Sequence, residues 1–139
     1  MKTLLAVDGS DYTNRMLSYL ATHKEFLGVQ PCTVLYVVLP VPHRAAAFAG
    51  PDMVRGYYED DARVVLDPIR ASLRESGIDA TFVHKLGHPA QEIAAYAEAG
   101  KFDLLVMGSH GVGALKNLVL GSVATKVLAR CSVPVLLLR

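Results

Sequence analysis

Thr3-Leu4-Leu5-Ala6-Val7-Asp8-Gly9-Ser10 begins with residues that are apolar almost without interruption and ends in an acid, a glycine and a serine. A strand with one wet face alternates apolar and polar positions. An apolar run on consecutive positions belongs instead to a strand covered on both faces, the condition of a parallel sheet between helices. Asp-Gly-Ser is turn chemistry, and from Ser10-Asp11 the period changes: Met16, Leu17, Leu20 and Ala21 share one helical face until Gly28. The start of the chain therefore reads as one strand and one helix of a βαβ unit.

Working outward, four further runs have the same character: Thr33 to Leu39, Ala80 to His84, Leu104 to Gly108 and Val133 to Leu138. Helical patterns separate them. The second helix follows Gly50-Pro51, carries Tyr58, Ala62, Val65, Ile69 and Leu73 on one face, and stops at Gly77; it is expected to be the longest. Pro68 lies inside it and either kinks the helix or restarts it with Asp67 as an N-cap. A third helix opens at His88-Pro89, presents Ile93, Ala94 and Ala97, and ends by Gly100; a fourth spans about Ser122 to Ala129. Five strands alternating with four helices, joined by right-handed crossovers, give a doubly wound α/β domain with a mostly parallel sheet. Pro40 to Pro51, which contains Pro40, Pro42 and Gly50, reads as the most mobile segment and one able to cover a ligand.

Composition narrows the function classes. With 139 residues the chain is expected to form one domain, 1–139, and 52% hydrophobic against 19% charged residues excludes disorder. Fourteen Lys and Arg against thirteen Asp and Glu leave a net charge of +1, so there is no broad electrostatic footprint for nucleic acid or a membrane surface. No secretory pattern opens the sequence and no apolar run approaches roughly 18 residues, which gives the expectation of a cytoplasmic protein. Cys32 and Cys131 form no CxxC pair and read as reduced packing residues.

In a doubly wound sheet ligands bind beyond the carboxyl ends of the strands. Asp8 stands there, and Asp8-Gly9-Ser10 serves either as a plain Asx turn or as a carboxylate aimed at a ligand. After the fourth run, Gly108-Ser109-His110-Gly111 is followed by nine residues and then Gly121-Ser122 at a helix start. Glycines let backbone amides approach an oxyanion, and the free amides of a helix start complement its charge; the same residues also suit a tight turn and a helix cap. His110 is either a solvated loop residue or a phosphate-facing one, and Lys116 either meets outer phosphates or solubilises its loop. The other histidines lack a metal-ligating arrangement, and Gly-x4-Gly-Lys-Ser/Thr, Gly-x-Gly-x-x-Gly and Gly-x-Ser-x-Gly are all absent. These gaps leave a P-loop enzyme, a dinucleotide dehydrogenase and a nucleophile-elbow hydrolase without support.

The spacing Gly-x-x-Gly-x9-Gly-Ser, with Val106 to Val123 around it, resembles the signature of the nucleotide-binding universal stress proteins. Asp8, Tyr36-Val37-Val38, Gly87-x-Pro89 and Val133-Pro134-Val135 agree in order, so the resemblance spans essentially the whole chain. It implies a Rossmann-like, adenine nucleotide alpha hydrolase-like sheet of strand order 3-2-1-4-5, and a bound ATP, ADP or AMP. It further implies that Val37 offers backbone hydrogen bonds to adenine, that Asp8 lies on the base, ribose or metal side, and that Met107 and Gly108 border the ribose. Gly111, Gly121, Ser122 and Val123 would hold the phosphates, with His110 in the same loop. Any Mg2+ or Mn2+ would arrive with the phosphates, and no catalytic residue is assigned. The family resemblance also suggests a homodimer through Val133, Val135 and Leu137 of the last strand, whose apolar edge would otherwise be exposed. The implied role is a stress sensor or signalling module; the alternatives are a slow ATPase or self-phosphorylating enzyme, and a dimeric interaction protein that binds no nucleotide.

Overall fold

Each apolar run forms a strand, and every pairing between them is parallel. The computed structural model describes residues 1–27, 32–113, 115 and 117–139, so Gly28, the expected end of the first helix, and Lys116 lie outside the described residues. The strands are β1 (Thr3–Val7), β2 (Cys32–Val38), β3 (Ala80–Leu86), β4 (Leu104–Gly108) and β5 (Val135–Leu138), in the order β3-β2-β1-β4-β5. The helices among the described residues are α1 (Asp11–Thr22), α2 (Lys24–Leu27), α3 (His43–Ala49), α4 (Pro51–Glu75), α5 (Pro89–Ala99) and α6 (Ser122–Arg130).

β1 is the central strand and is buried along its whole length. Its alternate side chains feed two cores. Leu5 and Val7 pack with Val34, Val38 and Val106 against Met16 and Leu20 of α1 and Ala62, Ile69 and Leu73 of α4. Leu4 and Ala6 pack with Leu35, Leu105 and Met107 against Ile93 and Ala97 of α5 and Ala124 and Val127 of α6. Burial on both faces is why the run shows no alternation, and each fully buried large side chain contributes roughly 1.5–3 kcal/mol. Ala6 lies opposite both Leu35 of β2 and Met107 of β4. The chain therefore leaves β1 at Asp8 beside the end of β4 at Gly108.

Among the described residues six helices stand where four were expected, and both additions are short. The first helix ends at Thr22 because His23 closes it: the His23 amide donates to the Tyr19 carbonyl at 3.0 Å, Nδ1 donates to the same oxygen at 2.9 Å, and the ring stacks on Tyr19. The segment from Pro40 to Pro51 carries α3 rather than a loop. Its Arg-Ala-Ala-Ala stretch favours helix, and Gly50, at φ 89°, takes the left-handed value that separates α3 from α4. α4 is the longest helix at 25 residues and runs through Pro68 without restarting. Val64 and Pro68 both lie on its exposed face, so the carbonyl deprived of a partner opens toward water. At its end Gly77, φ 72°, places the Ile78 amide on the Leu73 carbonyl at 2.9 Å, a left-handed glycine stop. β5 begins at Val135, two residues later than expected, since Pro134 has no amide to add to the ladder.

The approach to β5 is fixed by Glu98 of α5, whose Oε1 accepts from the Ser132 amide at 2.6 Å and the Ser132 hydroxyl at 2.7 Å. These two bonds hold the Glu98 carboxyl below the usual carboxylate range. A carboxyl depressed in the fold adds stability above its unfolded value and loses it as pH falls through the folded one; full exposure keeps the effect small. Glu98→Gln retains the carbonyl acceptor but cannot titrate. Thermal melts from about pH 6 to about pH 3 are expected to fall less steeply for this variant than for wild type, and equal slopes would remove Glu98 from the acid response.

Candidate functional site

Beyond the adjoining ends of β1 and β4 the chain encloses a cavity of about 580 Å³, within the roughly 300–1,000 Å³ range of small-molecule sites. The sheet order puts it at the switch point, where crossovers leave β1 and β4 in opposite directions. Asp8, Val37, Met107, Gly108, His110, Gly111, Gly121, Ser122 and Val123 all line it. His84 and His88 do not.

Asp8 forms the Asx turn and also lines the cavity. Its Oδ1 accepts from the Ser10 amide at 2.9 Å and from the Thr13 hydroxyl at 3.1 Å, while its own amide donates to Thr13 Oγ1. Oδ2 accepts from the amide of Val112 at 3.3 Å. One carboxylate thus joins the turn after β1 to the loop after β4.

The loop glycines are required first by packing. A Cβ on Gly111 would sit 2.5 Å from Asp8 Oδ2, and one on Gly108 would sit 2.7 Å from Tyr12 Cβ. On Gly121 it would meet the His110 Cα at 3.0 Å and the Ser109 carbonyl at 3.1 Å. The Gly121 amide donates to that carbonyl at 2.7 Å, drawing the two ends of the loop together.

His110 closes the same loop. Nε2 lies 2.8 Å from the Leu118 carbonyl, which only accepts, so Nε2 carries the proton and Nδ1, 2.9 Å from Ser109 Oγ, accepts from the hydroxyl. Tyr12 flanks the ring at 5.1 Å. Hydroxyl and imidazole in contact suggest a nucleophile and its base, but Ser109 is 1% exposed and cannot reach a substrate. The pair staples the loop.

Reading the sequence alone missed the wall made by Tyr12 and Thr13 of α1, Tyr36 of β2, and Tyr57 and Asp61 of α4. The Tyr36 hydroxyl donates to Asp61 Oδ2 at 3.0 Å. Burial, then the Asp61 bond and charge, then Asp8, push this hydroxyl well above the usual phenol range. The available signal was the i, i+4 spacing of Tyr57 and Asp61, a polar stripe beside the apolar one that includes Tyr58, Ala62 and Val65.

Among the described residues no Lys or Arg lines the cavity, and no group of three or more His, Cys, Asp or Glu is placed to hold a metal. The donors are backbone ones. No side chain caps α6, and Thr125 is its first residue whose amide pairs within the helix, with Gly121 at 3.0 Å. Ser122, Val123 and Ala124, the first turn, line the cavity. Cys32 and Cys131 are both free, and burial pushes the Cys32 thiol up to about 11, away from reactivity.

Fold and site together define a doubly wound α/β protein with a glycine-bounded cavity at its switch point. The sequence profile of the universal stress protein family matches residues 1–139, and the chain belongs to that family. It is 30% identical to universal stress protein YxiE of Bacillus subtilis, over 99% of this chain and 98% of that one. A Thermus aquaticus universal stress protein is 32% identical over 98% of this chain and 96% of its own. The structure of MJ0577 from Methanocaldococcus jannaschii superposes with a TM-score of 0.82 at 26% identity, covering 99% of this chain and 94% of the other. Three further solved universal stress proteins share the fold: one in complex with cAMP (TM-score 0.72, 21% identity, covering 99% of this chain and 97% of that one), the Archaeoglobus fulgidus protein in complex with dAMP (0.70, 21%, 100% and 98%) and the Arabidopsis thaliana protein with AMP bound (0.69, 17%, 99% and 91%).

The contact between Gly111 and Asp8 can be measured as a coupling. Gly111→Ala is expected to cost about 1–3 kcal/mol in urea unfolding, and clearly less in an Asp8→Ala background where the carboxylate is gone. Additive costs in the double-mutant cycle would show that the two positions do not meet.

Proposed function

We propose that the cavity binds an adenine nucleotide, with its phosphates toward Gly111, Gly121, Ser122 and Val123 and its nucleoside toward Asp8, Val37, Met107 and Gly108. The observation that carries this reading is the uncapped first turn of α6, opening into the cavity beneath the glycine loop. Aligned free amides at a helix start attract an anion without needing a cationic side chain. The AMP, dAMP and cAMP held by proteins of the same fold support the ligand class. ATP, ADP and AMP share the parts that the reading uses, and any Mg2+ or Mn2+ would enter with the phosphates.

The domain spans 1–139 in this reading and acts in the cytoplasm as a stress-response sensor or signalling module. Weak ATP hydrolysis or self-phosphorylation is the second reading, but Ser109 is buried and both Asp8 oxygens are engaged, so neither is offered as a base or nucleophile. The alternative of a dimeric interaction protein assigns no role to the cavity or to the helix start and glycine loop that line it.

Calorimetric titration of nucleotide-stripped protein with ATP, ADP and AMP, with and without Mg2+, tests the reading against Gly121→Val, whose side chain fills the loop closure. Wild type is expected to bind and the folded variant to bind at least about tenfold more weakly; a folded wild type that binds none of the three returns the protein to the interaction reading.

The homodimer is proposed through β5, a half-buried edge whose Val135 and Leu137 lie in the same strand and whose approach carries Val133. Val135→Glu is expected to give monomer or aggregate in light scattering. A wild-type-like dimer in the variant would place the interface elsewhere.

A further inference from the structure

The cavity has two chemically distinct ends, one on each face of the sheet. At one, the α6 start and the glycine loop present backbone donors; at the other, beside α4, Asp61 presents an acceptor held by the Tyr36 hydroxyl. Asp61 is bound by the Tyr36 hydroxyl through Oδ2 alone, with no other hydrogen bond and no ion pair among the described residues. Tyr36 holds the carboxylate against the cavity wall, and the second oxygen keeps its lone pairs for whatever enters. Asp8 differs in this respect, because each of its oxygens already serves a turn. An occupant that rests an anion on the helix start and extends across the cavity to Asp61 meets an acceptor there, and a hydrogen-bond donor is what suits it. The nucleoside portion carries such donors, in its ribose hydroxyls and its exocyclic amine.

Resting on the nucleotide reading above, we propose that Asp61, positioned by Tyr36, is a specificity-determining residue that accepts a hydrogen bond from an O–H or N–H donor of the nucleoside. The test is calorimetry of AMP, 2′-deoxy-AMP, 3′-deoxy-AMP and IMP on wild type, Asp61→Asn and Tyr36→Phe. The first three ligands separate the two ribose hydroxyls, and IMP removes the exocyclic amine. Wild type is expected to lose about tenfold to a hundredfold in affinity for the analogue that lacks the donor. In Asp61→Asn the Tyr36 hydroxyl engages the one remaining carbonyl oxygen and the amide NH2 faces the ligand, so this variant loses a similar factor for AMP and nothing further for that analogue. Tyr36→Phe keeps the charge but frees the carboxylate, and moves the same ratio in the same direction by less; it carries the test if Asp61→Asn does not fold. Unchanged ratios among the four ligands in folded variants overturn the role of Asp61, as does an equal loss for all four, which marks a purely structural bond. A folded wild type that binds none of the four overturns the nucleotide reading itself.

Discussion

The Asp8 carboxylate lies where two segments meet that are 104 residues apart in sequence, and it is bonded to both. Only a parallel neighbour relation between β1 and β4 brings them together, and that relation follows from strands so apolar that helices must cover both faces. The carboxylate then fixes local detail on each side: the Asx turn and Thr13 on one, Val112 and the glycine at 111 on the other. His110 and the Gly121 amide draw the loop together from within. Much of the cavity wall is therefore held in shape by the protein's own hydrogen bonds, which lowers the ordering cost of any binding event.

That order has an electrostatic character. The described lining offers two carboxylates and the open end of a helix, with no cationic side chain. An anion resting on α6 would be held by aligned amide dipoles whose direction the fold sets, whereas the acceptor end disfavours a second anion and suits a neutral group bearing donors. Such a division favours a ligand with one anionic end and one hydrogen-bonding end, in a single orientation. Tyr36 contributes to the division because burial between carboxylates keeps its hydroxyl protonated and donating.

The large features of this arrangement were legible in the sequence because they arise from long apolar runs. Leu104 to Gly108 could only be a doubly covered strand, and the nine residues taken from the resemblance reach one cavity through the ends of β1, β2 and β4 and the start of α6. What was not legible depends on groups that meet only in three dimensions. The His23 ring that closes α1 reads as an ordinary polar residue, and the Arg-Ala-Ala-Ala stretch of α3 was hidden by the prolines and glycine around it. Tyr36 was visible as part of a strand but not as the partner of Asp61, because sequence order does not say which helix covers which strand end. The loop-closing bond of His110 was not legible either, since the Leu118 carbonyl that accepts it lies across a loop whose closure no periodicity describes.

The glycines show how far a motif can be carried. Their spacing identifies the family, yet Gly108 faces Tyr12, Gly111 faces Asp8 and Gly121 faces the backbone of Ser109 and His110. Each is closely packed even with nothing bound, so glycine spacing alone does not establish a phosphate contact. Functional weight falls instead on the groups that folding leaves uncommitted. The first-turn amides of α6 and the second oxygen of Asp61 are of this kind, and their residues line one cavity from the two faces of the sheet. A buried polar group without a partner costs stability, and an open one at the lip of a cavity retains water that a ligand can replace. The strongest physical argument for a ligand is therefore the pattern of groups still able to bond, and the amides at one end and the carboxylate at the other together give the shape and polarity of what fits between them.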